Sequence, residues 1–166
     1  MSSHKRRIMS APKKPKIDET DQHILRYMLK NGEFNLENIA QKVGVSKSTV
    51  HNRIKKLKDI GLLKGFLPLL DTEKTGNSIT AIALIRAKYG PQYAEEVGRK
   101  LSQIEGVWAV YFVLGENDFV VLVRARTKDE LEKVIEQFTV IDGVERSNTA
   151  FALKIIKEDP RDAFRI

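Results

Sequence analysis

The 166-residue chain has no cysteine, which removes a disulfide scaffold and any thiolate metal site and suits a reducing cytoplasm. Long apolar runs are also missing. The longest, Val107 to Leu114, is far below the roughly 20 residues that a membrane helix needs. No apolar stretch follows the basic start, which argues against a secretory signal. His4, His23 and His51 have no cysteine or histidine neighbours at ligand spacing, so no metal centre is expected. No nucleophile–base pair and no Gly-rich loop ending in Lys-Ser/Thr is found, so neither a cofactor nor an enzyme activity is expected. The chain is 42% hydrophobic and 31% charged, enough to bury a core and unlike a disordered polymer.

Acidic residues are scarce in two places, and these places carry the information in the net charge of +7. Residues 1–16 hold Lys5, Arg6, Arg7, Lys13, Lys14 and Lys16 with no acid. Residues 41–64 hold Lys42, Lys47, Arg53, Lys55, Lys56, Lys58 and Lys64 against Asp59 alone. The remainder is slightly acidic. A neutral body with two basic blocks points to a polyanion as partner. Residues 1–16 combine Ser, Pro and bases without apolar periodicity and read as a flexible arm, either solubilising or phosphate-contacting.

Three short helices are expected over residues 17–61. Asp18 is a candidate N-cap, followed by Glu19 and Asp21 where the helix dipole favours acids, with Ile24, Leu25, Met28 and Leu29 at helical spacing. Asn31-Gly32 ends that helix. A second starts after Asn35, turns Leu36, Ile39, Ala40 and Val43 inward and stops at Gly44. A third starts after Ser46, turns Val50, Ile54 and Leu57 inward and breaks at Gly61. Small Ala40, Gly44 in the turn, and Val45 with Val50 between the helices make a helix-turn-helix signature. With Val50 inward and about 100° per residue, Ser48, Asn52 and Lys55 point outward, flanked by Lys47, Thr49, His51 and Lys56. Short polar and amide groups can read base edges while lysines neutralise phosphates, so double-stranded DNA is the expected partner. His51 is a groove contact or a solvated residue.

Leu62 to Leu70 reads as a strand or wing, and the polar stretch to Asn77 as a linker, so that 62–77 joins two domains. From residue 78 to 157 the pattern is strand, helix, strand, strand, helix, strand. Ile79 to Lys88 is β-rich. Gly90-Pro91 opens a helix with Ala94, Val97, Leu101 and Ile104 on its apolar stripe. Val107 to Leu114 reads as a buried strand, Gly115 to Asp118 as a tight turn and Phe119 to Val123 as the hairpin partner. Thr127 and Glu130 form a capping box for a helix with Leu131, Val134, Ile135 and Phe138 inward. The last strand is expected from about Arg146 to Ile156, with a C-terminal tail over 158–166. Ile104-Glu105-Gly106-Val107 is echoed by Ile141-Asp142-Gly143-Val144, each between a helix and a strand. Two βαβ halves repeated in this way give a ferredoxin-like sheet with both helices on one face. Its other face has apolar residues and nothing in the chain left to cover it, which implies a homodimer that also pairs two recognition helices.

Ile17-Asp18-Glu19 through Gly61, with Ile39-Ala40-Gln41-Lys42-Val43-Gly44-Val45-Ser46, resembles the DNA-binding half of the Lrp/AsnC (leucine-responsive, feast/famine) regulators. The second half resembles their amino-acid-metabolism regulatory (RAM) domain, so the resemblance spans about residues 17–157. It implies an α+β protein: an N-terminal winged helix-turn-helix DNA-binding domain followed by a ferredoxin-like βαββαβ regulatory domain. It also implies a dimer, often assembled to tetramers or octamers, with an amino-acid-type effector held between regulatory domains. The family's glycine-x-x-acid turn matches Gly115-Glu116-Asn117-Asp118, where glycine would admit a ligand carboxylate and Asp118 would pair with an ammonium. Ser147 and Thr149 match hydroxyl positions on the last strand that complete the effector site. Leu114 stands where the family commonly has threonine, a departure that bears on which effector binds. The same turn is also a shape that ordinary hairpins take. An architectural DNA-compacting protein without effector is the competing reading.

Overall fold

The computed structural model describes residues 16–76, 79–88 and 90–166. The basic arm expected over 1–16, Lys16 apart, lies outside the described residues, as do Asn77 at the end of the expected linker and Ser78 at the start of the expected second domain. The chain divides into two units, residues 1–69 with 159–166 and residues 70–158.

In the first unit, Asp18 has extended backbone and caps α1 (Glu19–Asn31) by accepting from the Asp21 N–H at 2.9 Å. The Asp21 carboxylate returns the bond to the Asp18 N–H at 3.2 Å, which completes a capping box. Gly32 closes the helix at φ 62°. Asn35 caps α2 (Leu36–Val43), and Gly44 at φ 77° ends it and turns the chain into Ser46, the cap of α3 (Lys47–Asp59). Ile24, Met28, Ile39, Ala40, Val50 and Ile54 form one buried cluster, with Leu36, Val43 and Val45 packed against it. The helix-turn-helix therefore has the inward faces that the apolar spacing indicates.

After α3 the expected strand does not form. Leu62 and Leu63 donate to the Leu57 carbonyl at 3.0 Å, and residues 63–70 then run without a ladder partner. Pro68 has no N–H to give, and the described residues offer no neighbouring strand there. Residues 159–166, expected as a tail, group with this first unit. They form the short 3-10 turn Pro160–Ala163, and Arg26 Nε donates to the Ile166 carbonyl at 2.6 Å.

The second unit runs β1 (Ile79–Ala87), α4 (Pro91–Ser102), β2 (Val107–Phe112), β3 (Phe119–Ala125), α5 (Lys128–Thr139) and β4 (Val144–Phe151). The antiparallel sheet has the order β2-β3-β1-β4, the ferredoxin-like arrangement. Ala81, Ala83 and Ile85 of β1 and Phe119, Val121 and Val123 of β3 are buried with Val97 and Leu101 of α4 and Leu131, Val134 and Phe138 of α5. The repeated Ile-acid-Gly-Val is a repeated backbone turn. Val107 N donates to Ile104 O and Val144 N to Ile141 O, each at 3.1 Å, and Gly106 and Gly143 have φ 90° and 100°. Each glycine carbonyl then receives an N–H from the sheet at 2.8 Å, from Arg124 and Lys88 respectively.

Two strands differ from expectation. β2 ends at Phe112 and is a sheet edge with Trp108, Tyr111 and Phe112 exposed, so it is not a buried strand within the chain. β4 stops at Phe151, because Ala152 N to Thr80 O is the last bond that β1 can accept and residues 153–156 find no partner strand. The side of the sheet opposite the helices carries Ile82, Leu84, Tyr111, Val120 and Leu122, of which Tyr111 and Ile82 are 53% and 41% exposed.

Candidate DNA interface and effector site

The outward side of α3 is built at its first turn. Ser46 Oγ accepts from Thr49 N at 3.1 Å and lies 2.9 Å from Ser48 Oγ and 2.8 Å from Thr49 Oγ1, which ties the two hydroxyls to the helix start. His51, Asn52 and Lys55 are exposed and pair with none of the described residues, with Asn52 and Lys55 one turn apart on the side opposite Val50. Lys47 donates to Glu37 at 2.6 Å, with both side chains more than half exposed. Such a surface pair contributes about 0–1 kcal/mol and exchanges readily for a phosphate.

Lys56 has different company. Its Nζ donates to Asp21 Oδ2 at 2.6 Å, and the Asp21 side chain is fully buried. Arg53 donates to Asp21 Oδ1 at 3.3 Å and also to Asp18. The helical spacing puts Lys56 among the outward cations and Arg53 only in the basic block, whereas both are held by Asp21. Asp21 carried the missed signal: it stands three residues before Ile24 and seven before Met28, on the apolar stripe itself.

The Asp21 backbone N–H, and after it the Arg53 guanidinium, hold the Asp18 carboxyl below its usual value. A depressed folded-state pKa contributes stability above the unfolded pKa, and that contribution is lost as pH falls through the folded value. Asp18→Asn keeps a capping side chain but removes the ionisation. Its helical unit is expected to melt with less pH dependence than the wild type below about pH 4. Thermal melts across that range check this, and parallel acid limbs in the two proteins would contradict it.

The four effector candidates lie at one end of the sheet. Phe119, Ile85 and Ser147 are in register across β3, β1 and β4, so Asp118 and Ser147 flank β1 from its two sides, and Thr149 pairs with Ala83 one step further in. Asp118 Oδ2 accepts from the Ala87 N–H at 2.8 Å, while its backbone bonds Ile85 O at 2.9 Å and Val113 N at 2.8 Å. One carboxylate oxygen therefore secures the turn. Gly115 has ordinary φ, and a Cβ built on it would meet nothing within 4 Å, so the fold itself does not require glycine there. Ser147 Oγ and Thr149 Oγ1 are buried without a hydrogen-bond partner among the described residues. A cleft of about 840 Å³ opens at the other end of the sheet, beside Gly106, Trp108, Arg124 and Lys133, and includes none of these four residues.

Residues 17–64 match the profile of winged helix-turn-helix DNA-binding domains, and residues 80–162 that of the Lrp/AsnC ligand binding domain. An uncharacterised HTH-type transcriptional regulator of Pyrococcus furiosus is 37% identical over 145 residues, 87% of this chain and 97% of the relative. The HTH-type transcriptional regulator FL11 of Pyrococcus abyssi is 36% identical over 142 residues, 86% of this chain and 93% of FL11. Among solved structures, a feast or famine regulatory protein from M. tuberculosis complexed with L-methionine superposes with a TM-score of 0.76 at 26% identity, covering 86% of this chain and 96% of that one.

Proposed function

Since the chain belongs to the Lrp/AsnC family of DNA-binding transcriptional regulators, we propose that it binds a specific duplex through Lys47, Ser48, Thr49, His51, Asn52 and Lys55 of α3 and that an amino acid modulates this binding. The observation that carries the effector half is the pair of orphaned hydroxyls on Ser147 and Thr149. A buried polar atom left unpaired costs about 1–3 kcal/mol, so such atoms in a native fold call for a water or a ligand. Asp118 keeps one carboxylate oxygen for an ammonium while the other holds Ala87, and Gly115 leaves room for a carboxylate beside the turn. The complex of the M. tuberculosis protein with L-methionine supports the same ligand class.

None of the four effector residues lines the cleft within the single chain. Ser147 and Thr149 pair with Ile85 and Ala83 on the helix-covered side of the sheet, so we read the effector as entering at the sheet end beside Asp118, where two regulatory units meet. The apolar side of the sheet, with Ile82, Leu84, Tyr111, Val120 and Leu122, is what a second copy covers in a homodimer, from which a tetramer or octamer is built. The relatives are named as regulators, and we read the chain likewise as a non-enzyme working in the cytoplasm, where the chromosome is accessible. Among the described residues, no helix is long and apolar enough to cross a membrane.

A thermal-shift screen of the full chain against the twenty amino acids tests the effector reading. At a hundredfold excess over Kd, a ligand that binds only the folded state stabilises it by about 2.7 kcal/mol. Asp118→Asn keeps a hydrogen-bond acceptor for Ala87 but loses the charge, so it is expected to fold and to lose the shift. An unchanged shift would remove Asp118 from the site, and no shift with any amino acid would leave the DNA-binding reading without its effector.

A further inference from the structure

Asp21 is the buried charged side chain among the described residues, and closing the capping box of α1 takes up only one of the bonds it accepts. A helix dipole is served equally well by the exposed Glu19 beside it. Asp21 instead faces α3 and accepts from two of its cations, Lys56 at 2.6 Å and Arg53 at 3.3 Å. We propose that Asp21 is a positioning residue for DNA recognition: by holding Lys56 and Arg53 against α1 it withholds Lys56 from the phosphates, leaving the contact to Lys55. This rests on reading α3 as the recognition helix.

Neighbouring residues on a helix are about 100° apart, so Lys55 and Lys56 cannot face the same groove wall equally. With Lys56 tied back against α1, Lys55 is left exposed beside Asn52. Moving Lys56 to a phosphate would leave the buried Asp21 carboxylate with the Asp18 N–H and with Arg53 as its one remaining cation, and Arg53 is already shared with Asp18. A buried charge short of partners is strongly disfavoured, whereas the exposed Lys47–Glu37 pair loses little when it opens. The two lysine contacts of α3 therefore differ in kind. One is exchangeable with DNA and the other belongs to the fold.

The salt dependence of binding to a random-sequence duplex separates these roles, since each phosphate neutralised contributes about −0.9 to the slope of log Kobs against log salt. In the full chain, Lys55→Gln is expected to reduce the slope by about 0.9 and Lys56→Gln by less than half as much. Asp21→Asn frees Lys56, so it is expected to steepen the slope by about 0.9, bind random DNA more tightly and discriminate less. Adding Lys56→Gln to Asp21→Asn should restore the original slope. A residue that only supports the fold would weaken specific and random binding together with the slope unchanged, and that result would overturn the proposal. If Asp21→Asn does not fold, the two lysine variants decide: equal losses of slope overturn it. No loss in either variant would reject α3 as the recognition helix, and the proposal with it.

Discussion

Gly106→Ala is expected to destabilise the regulatory unit by about 2–6 kcal/mol, the sum of two costs that act together at this residue. A side chain at φ 90° costs about 1–3 kcal/mol in backbone strain. The new Cβ would also stand 2.9 Å from the Arg124 carbonyl oxygen, and overpacking of this kind costs about 1–3 kcal/mol. Retreat is blocked, because Arg124 N donates to Gly106 O at 2.8 Å and holds the two backbones together. For a unit of this size, 1 kcal/mol corresponds to roughly 4–8 °C, so the midpoint should fall by at least about 8 °C. Gly115→Ala has open space and ordinary φ, and is expected to stay within about 0.5 kcal/mol of wild type. Thermal unfolding of both variants checks the contrast. Equal stabilities would contradict it.

Asn52→Ala is expected to lose about 1–3 kcal/mol of discrimination, or about 5- to 150-fold, between the preferred duplex and random DNA, while random-DNA affinity stays close to wild type. The reason is the asymmetry of the two contact classes on α3. An exposed amide one turn from Lys55, opposite buried Val50, can offer a donor and an acceptor to a base edge. It neutralises no phosphate, so removing it leaves the sequence-independent term intact. Competition binding of the two duplexes measures the ratio. An unchanged ratio would show that another face of the helix does the reading.

Much of this was legible in the residues, for identifiable reasons. Gly32, Gly44, Gly106 and Gly143 all take the positive φ that makes glycine a punctuation mark, so helix ends and the repeated turn could be located. The Val50, Ile54 and Leu57 spacing orients α3 without further information, because burial of that stripe admits one rotation. The first-turn place of Asp21 is legible locally, but its second role is not, because only its partners 32 and 35 residues away reveal it. Residues 63–70 and 153–156 have strand-like composition, but a strand needs a partner and the described residues supply none. Asp118 could be placed in a turn from the Gly-x-x-Asp spacing. That its carboxylate holds Ala87 across the sheet depends on strand order, which no local pattern encodes.

The assignment as a sequence-specific, effector-responsive regulator is tested most directly by competition. The full chain would be bound to a duplex selected from a random pool, challenged with excess random DNA, with each amino acid present in turn. Retention of the selected site by a factor of about 10³ or more is expected, together with a shift in affinity of roughly 5- to 150-fold by at least one amino acid. Loss of preference under competition, with no amino acid changing the affinity, would contradict it and identify the chain as a DNA-compacting protein.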